Sequence, residues 1–184
     1  MDALHPDLAR VLIPAAAIQR RVEEIAAQID RDLAGAEGLY LVGILKGAFI
    51  FLADLARRIT APHVVDFMAL SSYGRGGATS EAVRILMDLR EPVRGRHLLL
   101  VEDIVDSGQT LDYLRQTLLS RRPASLRTCV LLRKPRAEAA SVDYLGFDIP
   151  DVWVVGYGLD YAEAYRTLPF IAELKPEIYR RPAG

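Results

Sequence analysis

The chain has 184 residues, 51% of them hydrophobic, and 23 Lys and Arg against 24 Asp and Glu leave a formal charge of −1. That length suits one domain with a sizeable core, and the near-neutral balance excludes a global field that would gather nucleic acid or an anionic membrane surface; any anion must be bound locally. A single cysteine, Cys129 in an apolar run, excludes an internal disulfide, and three scattered histidines, His5, His63 and His97, leave no zinc or copper spacing.

At the amino terminus, MDALHPDLAR has no basic stretch leading into an apolar one, so no signal peptide is expected. The longest apolar segment, residues 39–56, is broken by Lys46 and Asp54 and does not read as a membrane span; a cytoplasmic protein is expected. Between Pro14 and Leu33, the residues Ile18, Val22, Ile25, Ala26 and Ile29 recur at three and four positions, predicting an amphipathic helix that ends near Gly35. LYLVGIL (39–45) is a short apolar run that passes through Lys46-Gly47 into the helical pattern AFIFLADLARRI. VVDFMAL (64–70) and VRILMDL (83–89) read as strands. The Gly- and Ser-rich residues between them are too many for a tight turn, and read as a lid or a loose tip. HLLLVEDIV (97–105) is apolar on both faces, as in a parallel sheet covered on both sides. It runs through DSGQT into the helix LDYLRQTLLSRR; the buried strand SLRTCVLLRK (125–134) follows and, after a turn at 148–151, a further strand VWVVGYG (152–158).

Strand and helix alternate from Leu39 to Lys134 with a hairpin inserted. The pattern predicts an α/β fold with a mainly parallel twisted sheet flanked by helices, in a single domain over residues 1–184. Ligands of such sheets sit beyond the carboxyl ends of the strands, where Lys46-Gly47, Glu102–Thr110 and Lys134 all fall.

The stretch VEDIVDSGQT (101–110) puts Glu102, Asp103 and Asp106 beside a loop suited to an anion. Asp106-Ser107-Gly108-Gln109-Thr110 joins a buried strand to a helix whose first N–H groups have no intrahelical partners. With the helix dipole and the hydroxyls of Ser107 and Thr110 they form a place for one phosphate, which Gly108 lets approach the backbone. Acids beside a phosphate need an intervening cation or hydroxyl group; ribose hydroxyls or hydrated Mg²⁺ supply either. On spacing alone, Asp106 as a plain helix cap with Glu102-Asp103 a solvated pair is the competing reading. GxxxxGK[ST] is absent, and neither GRGGAT (74–79) nor GYGLDY (156–161) completes GxGxxG, which removes the usual markers of ATP hydrolysis and nicotinamide chemistry.

Two acids, two apolar residues and then D-S-G-x-T after a hydrophobic run resemble the phosphoribosyl pyrophosphate (PRPP) signature of the type I phosphoribosyltransferases. GILKGAFIF (43–51), SSYG (71–74), LLRKP (131–135) and VVGYGLDYAEAYRTLPFI (154–171) are similar, in that order, to its bacterial hypoxanthine/guanine branch. The resemblance implies a core over about residues 35–145 and a hood from about 1–34 and 146–184. It implies that Glu102 and Asp103 engage ribose hydroxyls and Mg²⁺, that Asp106 through Thr110 hold the 5′-phosphate, and that Asp106 exchanges a proton with N7 of a purine. Lys134 would donate to O6 of a 6-oxopurine, Trp153 would stack on the base, and the Val154 backbone would meet its edge. Asp160 would bind a second Mg²⁺; Lys46, Gly47 and Arg166 would reach pyrophosphate, with a cis Leu45–Lys46 peptide. Ser72 and Tyr73 would belong to a flap that keeps water from a ribosyl cation-like state. By position alone, Trp153 reads as core, Lys134 as a surface lysine, and Arg166 as an exposed charge on a helical YAEAYRTL segment.

The implied reaction is purine salvage: PRPP and hypoxanthine, with guanine beside it, give IMP or GMP and pyrophosphate, in a homodimer or homotetramer that binds neither nucleic acid nor membrane. Two rivals remain. A nucleotide-sensing RNA-binding regulator on the same fold is disfavoured by dispersed basic residues, paired only at Arg57-Arg58, Arg121-Arg122 and Arg180-Arg181. A family member acting on xanthine or a pyrimidine differs by side chains near the ring's 2-position.

Overall fold

The computed structural model describes residues 4–73 and 82–180. Its main sheet has the strand order β4-β3-β2-β5-β6-β7, built from β2 (Leu39–Leu45), β3 (His63–Tyr73), β4 (Ala82–Met87), β5 (His97–Val105), β6 (Ser125–Arg133) and β7 (Tyr144–Asp148). Only the β3–β4 pair is antiparallel. Alternation along β5 explains the layering: Leu99 and Val101 face one side, Leu98 and Leu100 the other, and all four are buried. On the first side lie α1 (Ala15–Asp32) and α2 (Phe49–Ala56); on the second lies α3 (Gln109–Ser120), anchored by Leu111, Leu114 and Leu118. The α1 stripe is the expected one, Ile18, Val22, Ile25, Ala26 and Ile29, each at most 1% exposed. Burial of a large aliphatic side chain stabilises by roughly 1.5–3 kcal/mol, so this face, rather than helix propensity, holds α1.

A second, three-stranded sheet joins the two ends of the chain in the order β1-β9-β8. β1 (Leu8–Ile13) pairs antiparallel with β9 (Ile171–Leu174), and β9 pairs with the two-residue β8 (Val154–Val155). The short α4 (Pro176–Tyr179) follows.

Two expectations are corrected here. The sixth strand of the main sheet is Tyr144–Asp148, not VWVVGYG, of which only Val154 and Val155 are strand and those belong to the small sheet. Gly156, Tyr157 and Gly158 have φ of 101°, 51° and 106°, and three consecutive left-handed residues end any strand. YAEAYRTL is not helical. Its Ala162, Glu163 and Tyr165 also have positive φ, and the Asp160 carboxylate accepts the Glu163 amide at 2.9 Å, a side-chain contact that replaces the helical ladder with turns.

The connectivity reverses between β2 and β5, because the chain moves outward from β2 to β3 on one side and from β5 to β6 on the other. Binding crevices of open α/β sheets form at such a switch point, beyond the strands' carboxyl ends. β2 and β5 pair from Leu39↔His97 only as far as Gly43↔Val101, whereas β2 stays with β3 to Leu45↔Ala69 and β5 with β6 to Val105↔Arg133. The residues of β5 just past the parting are Glu102 and Asp103.

Candidate active site

Successive residues of a strand point to opposite faces, so the two acids serve different spaces. Glu102, buried, lines a cavity of about 290 Å³ with Ile44, Leu70 and the loop 105–108. Asp103 lines one of about 240 Å³ with Lys134, Trp153, Val154 and Asp160. Asp106 borders both. Burial and the neighbouring Asp103 push the Glu102 carboxyl well up from its usual range. Burial also raises Asp103, to about 6; backbone amides and Arg166 pull it partly down while Asp160 pushes it up. Both carboxyls are therefore harder to ionise in the crevice than in water.

The DSGQT loop has the form needed to hold an anion. Gly108 precedes α3 with φ 85°, a conformation that strains residues bearing a Cβ, and no side chain caps the helix. The competing reading of Asp106 as a helix cap therefore does not hold. The first helical bond runs from the Asp112 amide to the Gly108 carbonyl at 2.9 Å, which leaves the amides before it free of helical partners. Ser107, Gly108 and Thr110 line the larger cavity, while Gln109 begins α3 with its side chain exposed.

Lys46 and Gly47 follow β2 through a cis Leu45–Lys46 peptide. A Cβ on Gly47 would fall 1.6 Å from the Asp103 carboxylate, and one on Gly158 would fall 2.0 Å from the Gly47 carbonyl oxygen. Three segments distant in sequence thus meet at van der Waals distance, and a glycine is required at both contacts. Arg166, only 16% exposed, donates Nη1 to the Gly158 carbonyl at 2.8 Å and pairs through Nη2 with Asp160 at 2.8 Å. Its Nε is buried without a partner among the described residues. Lys46 extends outward and its Nζ lies 2.9 Å from Glu163 Oε2.

On the other side of the crevice Lys134, 13% exposed, sits between two carboxylates, with Nζ 3.2 Å from Asp106 and 3.3 Å from Asp151. Asp151 is held in turn by Arg136 at 2.6 Å. Trp153 is 45% exposed and so is not core. Val154 is buried in β8. The backbones of Ser72 and Tyr73 close β3 opposite Val83 and Ala82; their side chains, and residues 74–81 of the expected flap, lie outside the described residues.

The residues that brace this site were not singled out from sequence. Asp54 on α2 accepts hydrogen bonds from Tyr157 at 2.6 Å and Gln19 at 2.9 Å, and pairs with Arg57. Burial pushes its carboxyl up, but these donors outweigh burial and hold it below the usual value. The bond from Tyr157 ties the Gly156–Gly158 turn to the helix that begins just after Gly47. An acid within the apolar AFIFLADL was the available signal; Asp151 and Glu163 had none.

This fold and crevice define a phosphoribosyltransferase: the family model for the phosphoribosyl transferase domain matches residues 13–162, and the chain belongs to that family. Among its relatives, the hypoxanthine-guanine phosphoribosyltransferase of Mycobacterium avium is 50% identical over 97% of this chain and 92% of the relative. The hypoxanthine phosphoribosyltransferase of Escherichia coli K12 is 48% identical over 89% of this chain and 94% of its own. The crystal structure of a Staphylococcus aureus hypoxanthine phosphoribosyltransferase superposes with a TM-score of 0.91 at 42% identity, covering 98% of this chain and 100% of that one.

The acid pair sets a pH dependence of stability. Both carboxyls keep their protons to higher pH folded than unfolded, so their contribution falls as pH rises from about 4, where unfolded carboxyls ionise, to beyond about 6, the value for folded Asp103. Glu102→Gln should therefore melt higher than the parent at pH 7.5, by about 2–4 °C for each kcal/mol relieved, and with the parent at pH 4. Scanning calorimetry of the two proteins at both values checks this; a gain independent of pH would contradict it.

Proposed function

We propose that this enzyme transfers the 5-phosphoribosyl group of PRPP to N9 of hypoxanthine, and of guanine, releasing pyrophosphate. The observation that carries the reading is the arrangement of Asp106: it stands at the mouth of the phosphate loop and, across the second cavity, contacts the lysine that would read the base. In this reading the amides and hydroxyls of residues 106–110 hold the 5′-phosphate, Glu102 and Asp103 hold the ribose hydroxyls, and Lys46, Gly47 and Arg166 receive the pyrophosphate. Ser72 and Tyr73 begin the closing flap.

Mg²⁺ fits these residues. It binds through one or two carboxylates and completes its shell with water and substrate phosphate, so the Glu102–Asp103 pair would hold one ion and Asp160 a second, although no cluster of three or more metal-ligating side chains occurs among the described residues. Glu102 and Asp103, both resisting ionisation, are eased by its charge. When bound, the ion neutralises charge on the departing pyrophosphate.

The bond from C1 of the ribose to pyrophosphate breaks with its electron pair leaving on oxygen, the bond to N9 forms, and the proton on N7 passes to Asp106. Lys134 donates to O6; an ammonium cannot accept, so the amino group of adenine is a poor partner there. Trp153 stacks on the base, and the Val154 backbone meets its edge. The same reading makes the protein a cytoplasmic dimer or tetramer, for which the exposed apolar residues Val64, Val65, Leu86 and Met87 offer apolar surface on both sides of the β3–β4 end of the main sheet.

Incubation with Mg²⁺, PRPP and each purine base, followed by chromatography, should yield IMP and GMP; neither product at any enzyme concentration ends the assignment. Asp106→Asn should lower kcat by about 10²–10⁴-fold, the usual worth of general acid/base help, and leave PRPP affinity nearly unchanged. Equal losses in steady-state kinetics and PRPP titration would make Asp106 structural. Lys134→Ala should flatten the ranking of hypoxanthine and guanine over adenine, read as kcat/KM ratios; an unaltered ranking removes Lys134 from base recognition.

A further inference from the structure

Trp153 is the one tryptophan of the chain, and its surroundings hold it in place from outside the cavity. Its carbonyl accepts the Leu174 amide at 2.9 Å, fastening it to β9, the strand that leads into α4. Tyr161 meets the indole edge-on with centroids 5.6 Å apart, and donates its hydroxyl to the Ile178 carbonyl at 3.2 Å. One side chain thus braces both the indole and the carboxyl-terminal turn. From that turn Tyr179 stacks on the indole, centroids 5.4 Å apart and planes 24° from parallel, with the Arg180 guanidinium 5.8 Å from the Tyr179 ring. Trp153 lines the cavity that also holds Asp106 and Lys134; Tyr179 does not.

An exposed indole left alone samples several rotamers, and a ligand that stacks on it must bear the cost of ordering it. Here the ordering is done in advance by a second ring on one face. We infer that Tyr179 is a positioning residue of the purine subsite: it holds the Trp153 indole so that the remaining face meets a planar heterocycle, which makes the carboxyl-terminal turn part of the base site. The inference deepens the stacking role proposed for Trp153 and rests on it. Simple cover for apolar surface would predict a loss of stability from removing Tyr179, with no preference between the two substrates.

Trp153 emission gives a direct reading, being the only indole signal in the full-length protein. In Tyr179→Ala the emission of the free protein should move to the red, the affinity for IMP by quenching and the KM for hypoxanthine should each worsen about three- to tenfold, and the KM for PRPP should stay put. Tyr179→Phe keeps the stacked ring and should match the parent. Unchanged IMP affinity in Tyr179→Ala, or equal worsening for hypoxanthine and PRPP, overturns the role of Tyr179 while leaving Trp153 on the base. If IMP does not alter the emission of the parent protein, the stacking role of Trp153 fails, and this inference with it.

Discussion

Two parallel strands part company at one rung of their ladder, and the working part of the molecule follows from that parting. β2 and β5 are partners to Gly43 and Val101; beyond it each keeps only its outer neighbour. The gap sits where the connectivity reverses, so two separate loops, one from each strand, turn away from each other and leave room between them. Pairing of β2 and β5 for two further rungs would have taken the room in which Glu102 and Asp103 lie. The helices covering both faces keep the gap from closing, since α2 and α3 start immediately after those loops and are pinned by their own buried stripes.

The electrostatics of the gap run against the stability of the free protein. Two adjacent carboxyls, one buried and one half-buried, are raised by burial and then by an acidic neighbour, Asp103 for Glu102 and Asp160 for Asp103, while Asp54, Asp30 and Asp66, which also sit among packed groups, are supplied with enough donors to be lowered. The fold satisfies its acids where they serve architecture, and leaves this pair short of donors. Acids left perturbed in a crevice are how functional places come to be marked. The glycine-to-carboxylate contact at Gly47 and Asp103 shows how close the backbone had to come to form it.

Much of this was legible from sequence because it depends on residues close together in the chain. The α1 stripe, the strand–loop–helix of residues 97–120 and the strand ends bearing Lys46 and Lys134 are local patterns, and they lie where periodicity and turn chemistry put them. What escaped depends on distant partners. β1 buries chiefly its two ends, so no alternation marks it, and Tyr144–Asp148 is an edge strand with a glycine at its centre. YAEAYRTL has helical spacing, yet one carboxylate contact from Asp160 decides otherwise. The braces of the site, Tyr157 to Asp54 and Lys46 to Glu163, join residues more than a hundred positions apart, and no pattern within either segment announces its mate. Trp153 is apparent as a ring; that another ring lies flat against it is not.

The pairing of residue 8 with residue 174 has a bearing on how the chain is made. The main sheet is complete by Asp148, and domains tend to gather as they leave the ribosome. The first strand must wait, unmatched, until Ile171–Leu174 emerges. A nascent chain can therefore own a finished 106–110 loop while the wall bearing Trp153 and Val154 is still inside the exit tunnel, so that the two cavities are completed at different moments of synthesis.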